Sequence, residues 1–178
     1  MNITSEIQVV CVDLNDKEIG MAEKMEAHRL GLLHRAVSVF LFNNQNEMLI
    51  QKRALSKYHS GGLWANACCS HPIPGESSLM AAERRLFEEL GIKAQLTFRD
   101  VFHYRAEVGR DLIEHEIDHL FTGFYDGPSR LDPDEVEEVK WMPVSEIISD
   151  MAQNPEKYTA WFQILLPFML EKKYIDTF

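Results

Sequence analysis

A chain of 178 residues, 46% hydrophobic and 26% charged, is long enough to bury a core and has the composition of an ordinary globular domain. Its formal net charge of −10 argues against a general nucleic-acid binder, which needs a basic face. An anionic small substrate stays open, because local cations and metal ions decide that. No apolar run approaches the roughly 20 residues of a membrane span. The start, Met1-Asn-Ile-Thr-Ser-Glu6, lacks the basic and apolar stretches of a signal peptide, so a cytoplasmic protein is expected.

In chain order, residues 7–14 read as a strand, and Asn15, Asp16 and Gly20 close a hairpin. Residues 23–28 read as a short helix. Residues 35–42 and 48–52, joined by the turn Asn43–Asn46, carry a hairpin signature. After the Gly61-Gly62 loop, residues 63–69 are strand-like. Pro72-Ile-Pro-Gly75 then breaks the chain. Glu76, Ser77 and Ser78 supply caps for a helix through Leu90, and Gly91 stops it. Leu79, Ala82, Leu86 and Leu90 form its core stripe. Strands are predicted over 93–99, 101–107 and 113–125. An acidic loop over 132–138 leads to a short strand ending at Trp141. Pro143 opens a helix through Met151, and Pro155 opens another toward Lys173 that Pro167 should kink or split. The pattern predicts one α/β (α+β) domain over residues 1–178, a mixed sheet with helices on its faces.

Chemistry concentrates in Trp64-Ala-Asn-Ala-Cys-Cys-Ser-His71. Cys69 and His71 are two apart and share a face of an extended segment, whereas Cys68 points the other way. Three cysteines make no even disulfide framework, and a bridge between adjacent Cys68 and Cys69 would be strained. Cys11 reads as a buried strand residue. Glu114 and Glu116 share one strand face and repel unless a cation or proton lies between them. On spacing alone, the solvated face of an edge strand is the simpler reading. His28, His34 and His71 are individually ordinary. With Glu114 and Glu116 they would make a site of five or six N/O ligands for Mg²⁺, Mn²⁺ or Zn²⁺. His59, His103, His115 and His119 show no such grouping. Lys24, Arg53, Lys57 and Arg85 are either scattered surface charges or a set converging on phosphate. Trp161 is either helix core or an aromatic face for a cationic intermediate.

The run Glu76-x7-Arg84-x-Leu86-x-Glu88-Glu89-x-Gly91-Ile92 resembles the Nudix box, with Ser70 at its first glycine and Arg85 at a glutamate position. The wider pattern is similar to the type I isopentenyl-diphosphate isomerases, which have the Nudix fold. It is carried by Glu23-Lys24, Ala27-His28, His34, Arg53-Ala-Leu-Ser-Lys57 and Gly62-x-Trp64-x-Asn66-x2-Cys69-x-His71-Pro72. Gly75-Glu76-Ser77, Arg84-Arg85, Glu89-Leu90-Gly91, Phe102-x-Tyr104-Arg105-Ala106, Glu114-x-Glu116, Asp134-Glu135-Val136, Trp141 and Trp161 continue it. The resemblance spans about residues 7 to 165.

It implies a Nudix-like mixed sheet between helices, with an N-terminal extension to about residue 34 and a helical part from about residue 143. It further implies a reversible 1,3-allylic shift between isopentenyl and dimethylallyl diphosphate. His28, His34, His71, Glu114 and Glu116 would hold one divalent metal (Mn²⁺, Mg²⁺ or Zn²⁺), and Glu89 a Mg²⁺ on the diphosphate. Lys24, Arg53, Lys57 and Arg85 would clamp the diphosphate. Cys69 and Glu116 would be acid and base in either order, with Tyr104 beside Glu116 and Trp161 facing the carbocation. The implied partner is a prenyl diphosphate, with no nucleic acid and no membrane, and the chain a monomer or weak homodimer. A Nudix hydrolase acting on a nucleoside or prenyl diphosphate is the alternative, and Arg85 at a metal-carrying glutamate position argues against it. A non-catalytic diphosphate- or metal-binding module would leave Cys69 and Glu116 without purpose.

Overall fold

The computed structural model describes residues 7–176. Its organising strand is β3 (His34–Phe42), rich in the β-branched and aromatic residues that favour a pleated, buried surface. β3 lies parallel to β8 (Ile113–Phe124), paired from His34↔Glu116 to Phe42↔Phe124. β7 (Leu96–Glu107) runs antiparallel along the far side of β8. β1 (Gln8–Val12) and β2 (Glu18–Glu23) form the N-terminal hairpin, which meets β3 at Cys11↔His34.

Alternation along β3 divides the core in two. Val37, Val39 and Leu41 pack under α2 (Ser78–Leu90) with Ala81, Ala82, Leu86 and Leu90. Phe40 packs on the opposite face under α4 (Ala160–Glu171), with Trp161, Phe162, Leu165 and Leu166. A mixed sheet between helices is thus the architecture, closed by α1 (Lys24–Leu30) and α3 (Val144–Gln153). Among the described residues no helix is long and apolar enough to cross a membrane.

Several elements differ from the sequence-based expectation. The hairpin of residues 35–42 and 48–52 pairs only at Phe42↔Met48. β4 (Glu47–Arg53) then leaves β3 and pairs with β9 (Val136–Pro143), while β3 pairs along its whole length with β8. Each strand thereby gains a longer ladder than the hairpin offers. The predicted strand 63–69 splits for the same reason. β5 (Trp64–Asn66) joins β4 and β6 (Cys68–Ser70) joins β3, so the chain crosses the gap where those strands diverge. Asn66 holds the crossing, donating from Nδ2 to the carbonyls of Val39 and Cys68.

Residues 93–99 and 101–107 merge into β7, whose register shifts between Phe98 and Asp100. Pro155 opens a 3-10 turn rather than a long helix, and α4 starts only at Ala160. Pro167 does not split α4, because Trp161, Phe162, Leu165, Leu166 and Met169 are buried together along it and hold the helix across the missing N–H. Leu79 leaves the predicted α2 stripe and is exposed, with Ala81 taking its place.

α2 carries site residues at its C-terminal end, so its caps set their position. Ser77 Oγ accepts from the Met80 amide, and Gly91 ends the helix at φ 67° with its amide bonded to Phe87 O. A Cβ at Gly91 would lie 3.0 Å from the Arg130 Cβ. Gly91→Ala therefore combines left-handed backbone strain with crowding. It should lower stability by at least about 1–2 kcal/mol, read as an earlier urea midpoint; an unchanged midpoint would refute the cap argument.

Candidate active site

The register of the central strands gathers the chemistry. His34 pairs with Glu116, Glu116 with Tyr104, and Ser38 with Cys69. Ser38 of β3, Glu114, Glu116 and Asp118 of β8 and Tyr104 of β7 have the parity that faces α4. The solvated-edge reading of Glu114 and Glu116 is corrected here. β8 has a partner on each side, and the two carboxyls are 4% and 1% exposed. Burial of such a pair costs free energy unless ligands or protons compensate.

Imidazoles supply that compensation. Glu23 caps α1 by accepting from the amides of Met25 and Glu26, which puts Lys24 and His28 four apart on one helix face. His28 and His34 donate from Nδ1 to the carbonyls of Lys24 and Leu32, at 2.7 and 2.8 Å. A carbonyl only accepts, so each Nε2 carries a lone pair directed inward. His34 Nε2 lies 3.2 Å from His71 Nε2, which in turn lies 2.9 Å from Glu116 Oε1. His28 Nε2 is buried without a hydrogen-bond partner. The ligand atoms of His28, His34, His71 and Glu116 all lie within 4.8 Å of one another. Inward lone pairs, outward N–H groups held by carbonyls and a carboxylate fit a divalent metal.

Glu114 sits beside this group rather than within it, 3.5 Å from His59 Nε2. Tyr104 Oη donates to Glu116 Oε2 at 2.6 Å, with Glu114 Oε2 at 3.2 Å. Burial and the neighbouring Glu116 charge push the Glu114 carboxyl well up. Burial acts the same way on Glu116, but the neighbouring His34 and His71 imidazoles outweigh it and hold this carboxyl well down. Burial pushes His71 down to about 3 and His59 to about 2. His59 and His71 are therefore neutral, the form that ligates.

Cys69 points to the α4 side, and its Sγ lies 3.4 Å from Ser38 Oγ, which in turn is 2.7 Å from Asp118 Oδ2. Burial, then the Asp118 and Glu116 charges, keep it a thiol, well above its ordinary range. Cys68 faces the α2 core, as alternation predicts. Cys69, Glu116 and Trp161 line one cavity of about 30 Å³. Trp161 is both core and site: it is 1% exposed, its Nε1 donates to Asn66 Oδ1, and Arg53 lies over its ring.

The four cations converge at the mouth of this cavity, so the scattered-surface reading does not hold for them. A cleft of about 590 Å³ continues outward past Lys24, Lys57 and Arg85. Burial, then Lys57, Arg85 and Arg53, push the Lys24 ammonium down to about 8. Glu135 offsets part of this repulsion, 2.5 Å from Lys57 Nζ and 3.1 Å from Arg85. Arg85 also donates to Glu88 and Glu89. Glu76 takes a two-pronged fork from Arg84, so the box acids are engaged by arginines within the chain. Glu135, Tyr58 and His59 were without a role in the sequence. They sit in or beside loops, where no periodicity marks a facing direction.

A NUDIX domain family model matches residues 32–162. The Isopentenyl-diphosphate Delta-isomerase of Pectobacterium atrosepticum is 49% identical over 157 residues, 88% of each chain. Isopentenyl-diphosphate Delta-isomerase 2 of Aromatoleum aromaticum is 48% identical over 161 residues, covering 90% of this chain and 85% of that one. Among solved structures, DR0079 from Deinococcus radiodurans superposes with a TM-score of 0.76 at 17% identity, over 90% of this chain and 97% of that one. The last likeness speaks to the fold alone.

The cation cluster makes a direct prediction. NMR of ¹³C-methylated lysines should show Lys24 titrating near pH 8, as its depressed value requires. Lys57→Met removes a repelling charge and should move that midpoint upward. A midpoint near 10.5 in the unsubstituted protein would contradict the cluster.

Proposed function

The chain belongs to the NUDIX domain family and, within it, to the isopentenyl-diphosphate Delta-isomerases, and on that premise we propose how its residues interconvert isopentenyl and dimethylallyl diphosphate. One observation carries the reading. A thiol, Cys69, and a carboxylate, Glu116, line the same small cavity as the Trp161 indole, together with a cluster of cations. A hydrolase needs a path for water to phosphorus, whereas allylic isomerisation needs two proton-transfer groups around a dry alkene.

The diphosphate is the anchor. Lys24, Lys57 and Arg85, with Arg53 nearer the cavity, bind its oxygens in exchange for their contacts with Glu135. Glu89 would be the carboxylate that holds a Mg²⁺, which would supply positive charge to the diphosphate. His28, His34 and His71 with Glu114 and Glu116 would hold the other divalent ion, which would supply charge that neutralises the buried carboxylates and would fix Glu116.

With the anchor seated, the alkene lies between Cys69 and Glu116. One delivers a proton to a terminal carbon, leaving a tertiary carbocation. The other removes a proton from the carbon on the opposite side, so the double bond moves and the charge is restored. Fixed geometry supplies much of the rate. The Tyr104 hydroxyl orients the Glu116 carboxyl at 2.6 Å. The Trp161 ring stabilises the cation, and the seated substrate fills the cavity and so keeps out the water that would capture it. Mg²⁺ with the diphosphate, Mn²⁺, Mg²⁺ or Zn²⁺ on the imidazoles, a cytoplasmic site of action and a monomer or weak homodimer belong to the same proposal.

Incubation with isopentenyl diphosphate and Mg²⁺ in D₂O, followed by NMR, should give dimethylallyl diphosphate carrying deuterium. Released phosphate or monophosphate would instead establish a hydrolase. Cys69→Ala and Glu116→Gln should each lower kcat by about 10²–10⁴-fold or more with the fold retained. Cys68→Ala should keep turnover. A Cys69→Ala enzyme of near-normal kcat would remove the thiol from the chemistry.

A further inference from the structure

The loop between β4 and β5 delivers a fourth imidazole to the buried centre. His59 is 3% exposed, and three contacts fix its orientation. Its carbonyl accepts from Arg53 Nη2, its Nδ1 lies 3.1 Å from Ser60 Oγ, and its ring meets Trp161 edge-on at 5.8 Å. Its Nε2 points at Glu114 Oε1 across 3.5 Å, buried and without a hydrogen-bond partner. The His28 Nε2 is orphaned in the same way. Two buried, unpartnered ring nitrogens facing one carboxylate leave a gap that a cation would satisfy.

The ligand atoms of His28, His59 and Glu114 all lie within 4.8 Å of one another, as do those of His28, His34, His71 and Glu116. His28 is common to both groups, and its single Nε2 lone pair serves one cation at a time. The two groups are therefore two sides of one centre. His34, His71 and Glu116 lie on one side, His59 and Glu114 on the other. We propose that His59 is a further ligand of this metal centre, making a six-donor set of four imidazoles and two carboxylates. Such a set favours Mn²⁺, Co²⁺ or Zn²⁺ over Mg²⁺, which prefers oxygen. It also ties the loop of Lys57 and Tyr58, which follows Arg53, to the metal, so the ion orders part of the diphosphate clamp.

The assignment rests on the metal centre proposed above, and the test separates the two. Chelator-treated protein is titrated with Co²⁺, reading stoichiometry, affinity by chelator competition, and the intensity of the d–d bands. Full-length His59→Ala, His59→Phe and His34→Gln chains are compared with the unsubstituted one, with circular dichroism checking the fold. One Co²⁺ per chain with weak six-coordinate bands is expected. In both His59 variants affinity should fall by at least about 10-fold, and the bands should strengthen as coordination drops. Unchanged affinity and bands in a folded His59 variant, with loss in His34→Gln, would remove His59 and leave the centre standing. Full Co²⁺ binding by His34→Gln would remove the centre and His59 with it. Two equivalents in the unsubstituted chain would overturn the single shared centre.

Discussion

Everything at the site depends on the parallel pairing of β3 with β8. That ladder sets His34 against Glu116 and leaves β8 with β7 on its other side, so Tyr104 meets the same carboxylate. Because side chains alternate, a slip of one residue would turn Glu114 and Glu116 onto the face of Ile117, against Val10 and Val12 of the N-terminal hairpin, and Phe121 onto the α4 face. Two hydrophobic layers prevent that slip. Val37, Val39 and Leu41 fit under α2, and Phe40 and Leu120 fit under α4. The polar cluster is held in place by apolar packing above and below it.

Charge is sorted by depth. Cations gather at the mouth, where Lys24, Lys57 and Arg85 crowd one another and Glu135. Carboxyls and imidazoles lie deeper, with Glu114 driven toward its neutral form and Glu116 kept ionised by two histidines. Neither layer is at rest electrostatically. Like charges held together are destabilising on their own, and the ligands of opposite sign are what the arrangement favours. Such strain costs stability in the free protein and is realised as binding when anion and metal arrive.

The same scaffold bears on the difference between isomerase and hydrolase within one fold. Arg85 takes the place of a glutamate in the box and forks onto Glu88 and Glu89, while Arg84 grips Glu76. Glu76 and Glu88, which could gather metals around a scissile phosphate, are engaged within the helix and its preceding loop, and Glu89 is the one box acid assigned to a metal. Proton-transfer groups sit on the far side of the cations, toward α4. The diphosphate end is gripped and the hydrocarbon end is where bonds change.

The sequence by itself determined what is local. Strand alternation separated Cys68 from Cys69, Ser77 and Gly91 bounded α2, and the spaced motifs around Cys69, His71 and Glu116 carried the family. Only the tertiary structure decided which strands are neighbours. The hairpin of β3 and β4 opened because each found a longer partner far along the chain, and β8 became interior rather than edge. The same distant pairing converts a solvated-looking Glu-x-Glu into a buried site. Pro167 stayed within one helix because packing outweighed a missing hydrogen bond. His59 and Glu135 had no legible role, since loop residues have no period and their partners, Glu114 and Lys57, are 55 and 78 positions away. Local patterns fix which way a side chain faces along its own element. What it faces is set by burial summed over the whole core, which no window of sequence contains.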